Sequence, residues 1–525
     1  MNIKLKFDSH RLDGKKTLVF VSLLFMVALV SSSLVSVYSG VSPFALGDPD
    51  SKVKDAAELE TAITNAPDGE PCVIAITNHI ILEKTIVIPA GKNITLVSDK
   101  DSGFYKLSGA DGKVTVTVES GAELVLAGII VTHVDNARGT GVEVNGKLTM
   151  TDGEIFNNNV TTNSGGVYNN GDFKLTGGAI YNNTATNDGG GIYNDGNFDM
   201  TGGTISGNSA KYGGGVYNNG ESFTMSGGEI YNNKASADGG GIYNDKSFTM
   251  SGGKVYRNIA ENGGGVYVYA CEFKLSGGEI SNNTANINGG GLYTNGNFTL
   301  SNNGLIFNNV ANRYGGGVYN DAVTNRDGVF IMSGGIVANN TATDGGGMYI
   351  YSGSFEMTNG RIANNTATRN GGGIGVPSRG GLERLEIFSS AIFSNNVASA
   401  AYNRSSSDDD LYRSTIGNSV TWTGSFKQGY NNYDIYYVWG SEVDVDDPTT
   451  STSPSPSASS SPTSTVRPTY TANPTKPPTT SDWFDWRIIV ILALIIGLVV
   501  AVLVFYIPRR GAKQIEEDLG DFTVV

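Results

Sequence analysis

Cysteine, histidine and charged residues are all scarce in this 525-residue sequence, with 2 cysteines, 3 histidines and only 16% charged residues. Two cysteines exclude a disulfide framework of the kind that stabilises small secreted domains. Proline, at 15 residues, is too infrequent for a collagen-like chain. The net charge of −14 disfavours contact with phosphate backbones, so we expect no nucleic-acid partner.

Glycine is abundant instead, with 71 residues, and it recurs at a long period. Triple glycines begin at positions 189, 213, 239, 263, 289, 315, 345 and 371, with spacings of 24, 26, 24, 26, 26, 30 and 26 residues. A period of about 25 residues is typical of a solenoid, in which each repeat packs on its neighbours.

Each repeat contains three short extended pieces. The first is an apolar residue and a tyrosine after the glycines, the second is Phe-x-Leu/Met-Ser/Thr, and the third is x-Ile-x before paired asparagines. Three parallel strands per coil, stacked about 4.8 Å apart, predict an all-β protein, a right-handed single-stranded parallel β-helix. About 390 residues at about 25 per coil predict about fifteen coils.

One asparagine column is invariant across ten repeats, whereas the residue before it varies. We interpret the invariant column as an internal ladder, because a buried amide must be hydrogen-bonded and stacking satisfies it. The predicted ladder comprises Asn158, Asn183, Asn208, Asn233, Asn258, Asn283, Asn309, Asn340, Asn365 and Asn395.

Asn-x-Ser/Thr triplets cluster in the variable column, which we predict to face outward. Such triplets are acceptors for N-glycosylation in exported proteins. The candidate sites are Asn93, Asn159, Asn182, Asn282, Asn297, Asn339, Asn364 and Asn403.

A tyrosine column is the best candidate for a ligand-binding surface. Strict alternation predicts an outward stripe that could stack on sugar rings or on a partner protein. The alternative is that the tyrosines stack on one another and stabilise the solenoid. The column comprises Tyr168, Tyr193, Tyr217, Tyr243, Tyr267, Tyr293, Tyr319 and Tyr349.

The ends of the chain predict export and a membrane anchor. Residues 1–39 have the basic start and apolar run of a signal peptide, with an uncleaved anchor helix as the alternative, and residues 40–53 form a linker. In 448–481, 27 of 34 residues are Ser, Thr or Pro, which predicts an extended stalk. The uncharged segment 488–507 predicts a transmembrane helix, and basic residues after it place the tail 508–525 in the cytoplasm.

The predicted ectodomain is 54–447, with its clear repeats in 151–400, and it faces the outside of the cell membrane. An amphipathic helix is predicted at its start, at residues 55–65, with Leu59 and Ile63 on one face. Because the first coil of a solenoid has an open edge, we expect this short helix to cap it.

The glycine–apolar–tyrosine and Ile-x-x-Asn-x-Ala copies resemble the repeats of polymorphic outer-membrane proteins and of adhesin-like surface proteins of methanogenic archaea. The resemblance covers roughly residues 54–440. It implies a pectate-lyase-like β-helix and a role in cell-surface attachment. The secreted N-terminus with one C-terminal membrane helix is similar to the archaeal type.

The same fold hosts polysaccharide-cleaving enzymes, but we predict no enzyme here, with no catalytic residue, metal site or cofactor. Catalysis would need clustered carboxylates, a base or a bound cation. The three histidines lie outside the repeats, at His10, His79 and His133. Aspartates before the glycines (Asp188, Asp238 and Asp344) share their column with asparagine and tyrosine, which is typical of turns. The acidic cluster 408–410 could bind a cation, although a solvated loop is favoured.

Together these features predict an adhesin-like, membrane-tethered surface protein whose lateral surface binds carbohydrate or a cell-surface protein. Two rival functions stay open at this point. One is a structural envelope or spacer protein with no specific ligand. The other is a polysaccharide lyase or hydrolase, which would release product.

Overall fold

The computed structural model describes residues 49–99, 103–322, 328–377, 379–399, 420–423 and 430–436. They form an all-β parallel solenoid of about 13 turns. The solenoid and its parallel strands are confirmed. The sequence analysis predicts about fifteen coils up to residue 447; the described residues contain about 13 turns, and much of the sequence after residue 399 lies outside the described part.

The predicted signal peptide, stalk, transmembrane helix and cytoplasmic tail all lie outside the described residues. Within the described ranges, no helix combines the length and the apolar character needed to cross a bilayer.

Four short strands make one turn, one more than the sequence pattern predicts. We name them after their buried or stacked residue: the tyrosine, phenylalanine, isoleucine and alanine strands. In one turn they are Ile192–Asn194, Asn197–Met200, Thr204–Ser206 and Ser209–Ala210. The alanine strand is only two residues long here, which is why its pattern is difficult to distinguish from a loop.

The strands of successive turns pair in parallel and build three sheets. The tyrosine strands form a sheet of 12: Ile86–Ile88, Val116–Val118, Val142–Val144, Val167–Asn169, Ile192–Asn194, Val216–Asn218, Ile242–Asn244, Val266–Val268, Leu292–Thr294, Val318–Asn320, Met348–Ile350 and Ile374–Gly375. The alanine strands form a sheet of 9: Asn159–Val160, Thr184–Ala185, Ser209–Ala210, Lys234–Ala235, Ile259–Asn262, Thr284–Asn288, Val310–Ala311, Thr341–Asp344 and Thr366–Asn370.

The phenylalanine and isoleucine strands share a third sheet of 23 strands. It contains Ser51–Val53, Pro71–Ile76, Ile80–Ile81, Asn93–Ser98, Tyr105–Gly109, Glu123–His133, Lys147–Phe156, Asp172–Leu175, Ala179–Tyr181, Asn197–Met200, Thr204–Ser206, Ser222–Met225, Glu229–Tyr231, Phe248–Met250, Lys254–Tyr256, Glu272–Leu275, Glu279–Ser281, Asn297–Leu300, Leu305–Phe307, Val329–Ala338, Ser354–Ala363, Leu385–Ile387 and Ala391–Ser394.

A helix spans Ala56–Asn65, as the sequence predicts, and a short 3-10 helix spans Arg379–Arg384. Asp55 is the N-cap of the first helix, and its carboxylate accepts a hydrogen bond from the Glu58 amide at 2.9 Å. Its Leu59 and Ile63 side chains are buried in the same apolar core as the first strands. A capping role for this helix stays a prediction.

The asparagine ladder lies inside the bend between the isoleucine and alanine strands. Asn233 shows its chemistry: its backbone N–H and its Nδ2 both donate to Asn258 Oδ1, at 2.9 and 3.1 Å. Its Nδ2 also donates to the Ile205 carbonyl at 2.9 Å. Asn208 repeats the pattern toward Asn233, so each amide satisfies backbone and side-chain groups in three turns.

The structure corrects the last rung of the predicted ladder. Asn365 donates from its backbone and from Nδ2 to Asn396 Oδ1, both at 3.1 Å, whereas Asn395 is exposed with φ +55°. The sequence assignment is one residue off in this turn, because Phe393, and not Ile392, occupies the isoleucine column. Phe393 pairs with the core residue Ile362, so Asn395 matches the exposed Asn364 and Asn396 matches the buried Asn365.

We expect Asn233→Ala to destabilise the solenoid by at least about 3 kcal/mol, since it removes three buried hydrogen bonds: two that Asn208 donates to Asn233 Oδ1 and one that Asn233 Nδ2 donates to the Ile205 carbonyl. Denaturant unfolding followed by circular dichroism measures the change. The matched control is Asn232→Gly, at an exposed site with φ +53° whose equivalent in the preceding turn is Gly207. The control should lose little stability. Equal losses of stability in both variants would contradict the assignment of Asn233 as a buried rung of the ladder.

Candidate functional site

The tyrosine column forms a continuous stack along the tyrosine strands. Successive ring centroids from Tyr168 to Tyr349 are 4.7 to 5.9 Å apart, and the ring planes are within 25° of parallel. Six of the eight rings are partly exposed, whereas Tyr319 and Tyr349 are buried, each with 5% of its surface accessible.

This stacking decides what the tyrosines can offer to a ligand. Because each interior ring lies between two parallel neighbours at about one strand spacing, its faces are covered by tyrosine. Solvent reaches the ring edges and the hydroxyl groups. The structure shows the mutual stacking that the sequence analysis gave as the alternative, so a sugar ring cannot stack on the interior tyrosine faces. Binding of a ligand by the outer edge of the column stays a prediction.

The phenol groups of the column are held in the neutral form. Burial, followed by the charges of Asp195, Asp188 and Asp245, raises the pKa of Tyr193 from its ordinary value of 10.0 to about 12. Burial likewise raises the pKa of Tyr243, which is close to Asp245 and Asp238. At neutral pH the column is thus an uncharged row of hydroxyl groups between carboxylates.

A polar groove runs beside this column, at the corner between the tyrosine and phenylalanine strands. It has a cavity volume of about 520 Å³. Its floor is a glycine column, Gly121, Gly146, Gly171 and Gly196. A Cβ atom on Gly171 would collide with the Gly146 carbonyl oxygen, and one on Gly196 with that of Gly171, so close contact between turns requires glycine here. The absence of side chains on the floor leaves the groove open.

The groove has carboxylates and amides along both walls. The wall next to the tyrosines contains Asn145, Asn170 and Asp195, and Asp195 accepts from the Tyr168 hydroxyl at 3.0 Å and from Asn219 Nδ2 at 2.8 Å. Asp195 therefore joins the tyrosine column to the groove.

The opposite wall carries Glu123, Lys147, Asp172, Asn197 and Glu221. Lys147 forms an ion pair with Glu123 at 2.9 Å, and Asn197 Nδ2 donates to Asp172 Oδ1 at 2.9 Å. The groove thus presents hydrogen-bond donors and acceptors in alternation, with a surplus of negative charge.

A second buried asparagine ladder, which the sequence analysis missed, supports this corner from inside. Asn169, Asn194, Asn218 and Asn244 follow the stacked tyrosines, and Nδ2 of each of the first three donates to Oδ1 of the next at 2.6 to 2.7 Å. Asn194 Nδ2 also donates to the Gly196 carbonyl of the groove floor at 3.1 Å. The sequence signal that could have revealed this second ladder is the Tyr-Asn pair, which occurs in four consecutive repeats.

The candidate glycosylation sites fall into two groups. Asn182, Asn282, Asn339 and Asn364 are exposed at one edge, in the left-handed conformation with φ from +53° to +56°. That edge is the bend between the isoleucine and alanine strands, away from the groove corner. Of the remaining candidates, Asn159 and Asn297 are exposed, Asn93 is half-buried, and Asn403 lies outside the described residues. Their modification stays a prediction.

The aspartates before the triple glycines have structural partners. Asp238 accepts from Asn262 Nδ2 at 3.0 Å, and Asp344 forms an ion pair with Arg369. In the part of the chain that the structure describes, no three His, Cys, Asp or Glu side chains are placed to hold a metal ion. The cluster 408–410 lies outside that part. Cys72 and Cys271 are both free thiols.

Comparison with known proteins finds no family model, curated protein or solved structure that matches the chain. The adhesin resemblance of the repeats therefore stays a prediction, and the site has to be judged on its geometry.

We expect Tyr243→Ala to destabilise the solenoid by about 1–3 kcal/mol beyond the loss of buried area, because two stacking contacts at 5.0 Å are removed. Thermal unfolding of the variant measures this. Tyr269→Ala is the matched control, since Tyr269 is 44% exposed and outside the column. A Tyr243 variant as stable as the control would show that the stack contributes nothing.

Alkaline pH should weaken the fold through the same column. Tyr193 keeps its proton to about pH 12 in the fold, whereas an unfolded tyrosine loses it near 10.0. Between these values the unfolded chain binds fewer protons, so stability falls as pH rises. The measurement is the phenolate absorbance of the full chain as a function of pH, from which the absorbance of the Tyr193→Phe variant is subtracted. The difference, which reports Tyr193 alone, should rise with a midpoint near pH 12. A midpoint near pH 10 would contradict this.

Proposed function

We propose that this protein is an adhesin-like surface protein, in which the solenoid displays a lateral groove that binds a glycan chain. The observation that carries the proposal is the groove, a long polar channel with a glycine floor and walls of amides and carboxylates. Concave sites with a few convergent polar groups are the usual binding sites of proteins. The C-terminal segment 488–507 is proposed as the membrane tether.

A hydroxyl-rich polymer suits the groove better than a charged one. Amides and carboxylates can donate to and accept from sugar hydroxyls, and the neutral tyrosine hydroxyls extend this row. The wall positions recur once per turn, about 4.8 Å apart, a repeat comparable to the length of one sugar unit in an extended chain. The surplus of carboxylates over the single Lys147 disfavours a polyanionic ligand.

The rival function, a structural spacer without a ligand, is supported by one observation: the tyrosine faces are used for contact within the solenoid. It predicts no retention on any glycan. An enzyme of the polysaccharide lyase or hydrolase class predicts release of sugar.

The test applies the full-length protein to immobilised neutral hexose, N-acetylhexosamine and uronic-acid polymers, and records both retained protein and released sugar. We expect retention without release. Asp195→Ala removes a carboxylate that two neighbours orient and should weaken retention by about tenfold or more.

The matched control for this test is Asp199→Ala, which also removes a hydrogen bond, to the Thr224 hydroxyl at 2.7 Å, but from a side chain outside the groove. It should bind like the unchanged protein. Absence of retention on every polymer would favour the spacer, and released sugar would favour an enzyme.

A further inference from the structure

A buried histidine ends the asparagine ladder on its N-terminal side. Asn158 is the first rung, and its Oδ1 lies 2.7 Å from Nδ1 of His133. The other ring nitrogen, Nε2, lies 2.9 Å from the backbone carbonyl oxygen of Lys113, 20 residues earlier in the chain. Only 6% of the surface of His133 is accessible, so the ring connects the ladder to the preceding loop from inside the solenoid. We call this arrangement the His133 link.

Both partners of the ring are hydrogen-bond acceptors. The Lys113 carbonyl has no hydrogen to donate. The orientation of the Asn158 amide is set by the next rung, because Asn183 Oδ1 accepts from the Asn158 backbone N–H and from Asn158 Nδ2, both at 3.0 Å. An inverted Asn158 amide would place two carbonyl oxygens against each other, so Asn158 Oδ1 has to face His133.

A neutral imidazole cannot satisfy these two acceptors. It carries one N–H and one lone pair, whereas the doubly protonated ring donates from both nitrogens. With one proton missing, a lone pair would face an oxygen at 2.7 or 2.9 Å, and that buried oxygen would lose its donor. The ring is also closely packed near Nε2, since a Cβ atom on Gly109 or Gly139 would collide with this nitrogen.

The positive charge of a doubly protonated ring is favoured by the direction of the ladder. Between rungs, each amide oxygen points toward the N-terminal neighbour, so Asn158 presents the negative end of a row of aligned dipoles.

No carboxylate bonds to the ring nitrogens, whose partners are Asn158 and Lys113. The charged side chains on the strands and loops around the ring are exposed or half-buried: Lys106, Asp111, Lys113, Glu123, Asp135, Arg138, Lys147, Asp152 and Glu154.

We propose that His133 is an imidazolium cation in the folded protein and that the His133 link is a pH-sensitive connection between the ladder and the turn before it. When protonated, the ring holds Asn158 and the Lys113 carbonyl through two charge-assisted hydrogen bonds. When a proton leaves, one of these bonds is replaced by repulsion between lone pairs, and the connection is lost.

The sign of the pH dependence follows from the proton balance. A histidine in an unfolded chain is mostly neutral above about pH 6.5. Because the intact link needs both ring protons, the folded chain binds one proton more than the opened chain above that pH. The stability of the turns that the link joins therefore falls as pH rises.

The protonation state is tested by solid-state NMR of the full-length protein with 15N-labelled histidine, at about pH 7.5, one unit above the ordinary value for histidine. Protonated and unprotonated ring nitrogens give separate signals, and His133→Asn and His79→Asn assign them. We expect two protonated nitrogens at His133. His79 is the internal control, because its Nδ1 accepts from the Lys106 backbone N–H at 3.1 Å and is therefore unprotonated. An unprotonated nitrogen at His133 would overturn the proposal.

The connection itself is tested by hydrogen exchange of the full-length protein in Tyr105–Gly109, the strand whose Gly109 pairs with His133. After correction for the intrinsic exchange rate, amide protection should fall from about pH 6.5 to about pH 8.5, by up to about tenfold per pH unit for one proton. This range lies below the titration of Tyr193 at about 12, so the two effects do not overlap.

Two variants complete the exchange experiment, and circular dichroism checks that both are folded. His133→Asn has no titrating ring at this place, so its protection should not depend on pH over the range. His79→Asn is the matched control and should show the same fall as the unchanged protein. Protection that is independent of pH in the unchanged protein, or that falls equally in His133→Asn, would contradict the His133 link.

Discussion

The buried asparagine ladder is the interaction on which the rest of the structure depends. Each bend between the isoleucine and alanine strands turns the backbone sharply, and its amide and carbonyl groups are shielded from water. One asparagine per turn satisfies them: the Asn233 side chain accepts from the Asn208 amide and donates to the Ile205 carbonyl. Because every asparagine of the ladder bonds to the asparagine of the next turn, the ladder fixes the alignment of the turns. The residues of each outward column are therefore aligned as well.

The ladder also has a direction, and its two ends differ accordingly. Between rungs, each Nδ2 donates to the Oδ1 of the C-terminal neighbour, so the amide dipoles add and the last rung has one donor without a further asparagine to receive it. Asn396 Nδ2 gives this to the buried carboxylate of Asp434, at 3.0 Å, which also accepts from Thr423 N and Asn431 Nδ2. At the other end, Asn158 Oδ1 is 2.7 Å from His133 Nδ1. An anion thus meets the positive end of the ladder, as charges do at helix ends.

Repetition made most of the fold predictable, because ten copies compared with one another separate buried columns from exposed ones. The same comparison failed where a single turn departs from the rest. At 391–396 an isoleucine and a phenylalanine compete for the core, and only the packing shows that Phe393 is inside and that Asn396 is the rung. The two-residue alanine strands carry too little alternation to be recognised as strands.

The candidate site was predictable in part. Alternation correctly placed six of the eight tyrosines at the surface, whereas Tyr319 and Tyr349 are buried. It cannot tell whether a ring offers its face or its edge, since that depends on the side-chain angles of neighbouring rings. The groove arises from glycines such as Gly171 and Gly196, which the sequence suggests only as corners. A Cβ atom at either position would collide with the glycine carbonyl oxygen of the preceding turn, and this constraint is visible only when the turns are stacked.

The most direct test of the central claim, that the groove binds a glycan, is hydrogen exchange of the full-length chain with and without a saturating glycan oligomer from the polymer that retains it. The account predicts slower exchange confined to the groove turns, around Asn145, Asn170 and Asn197. Protection elsewhere on the solenoid with none in these turns, or no change at any amide, would contradict it.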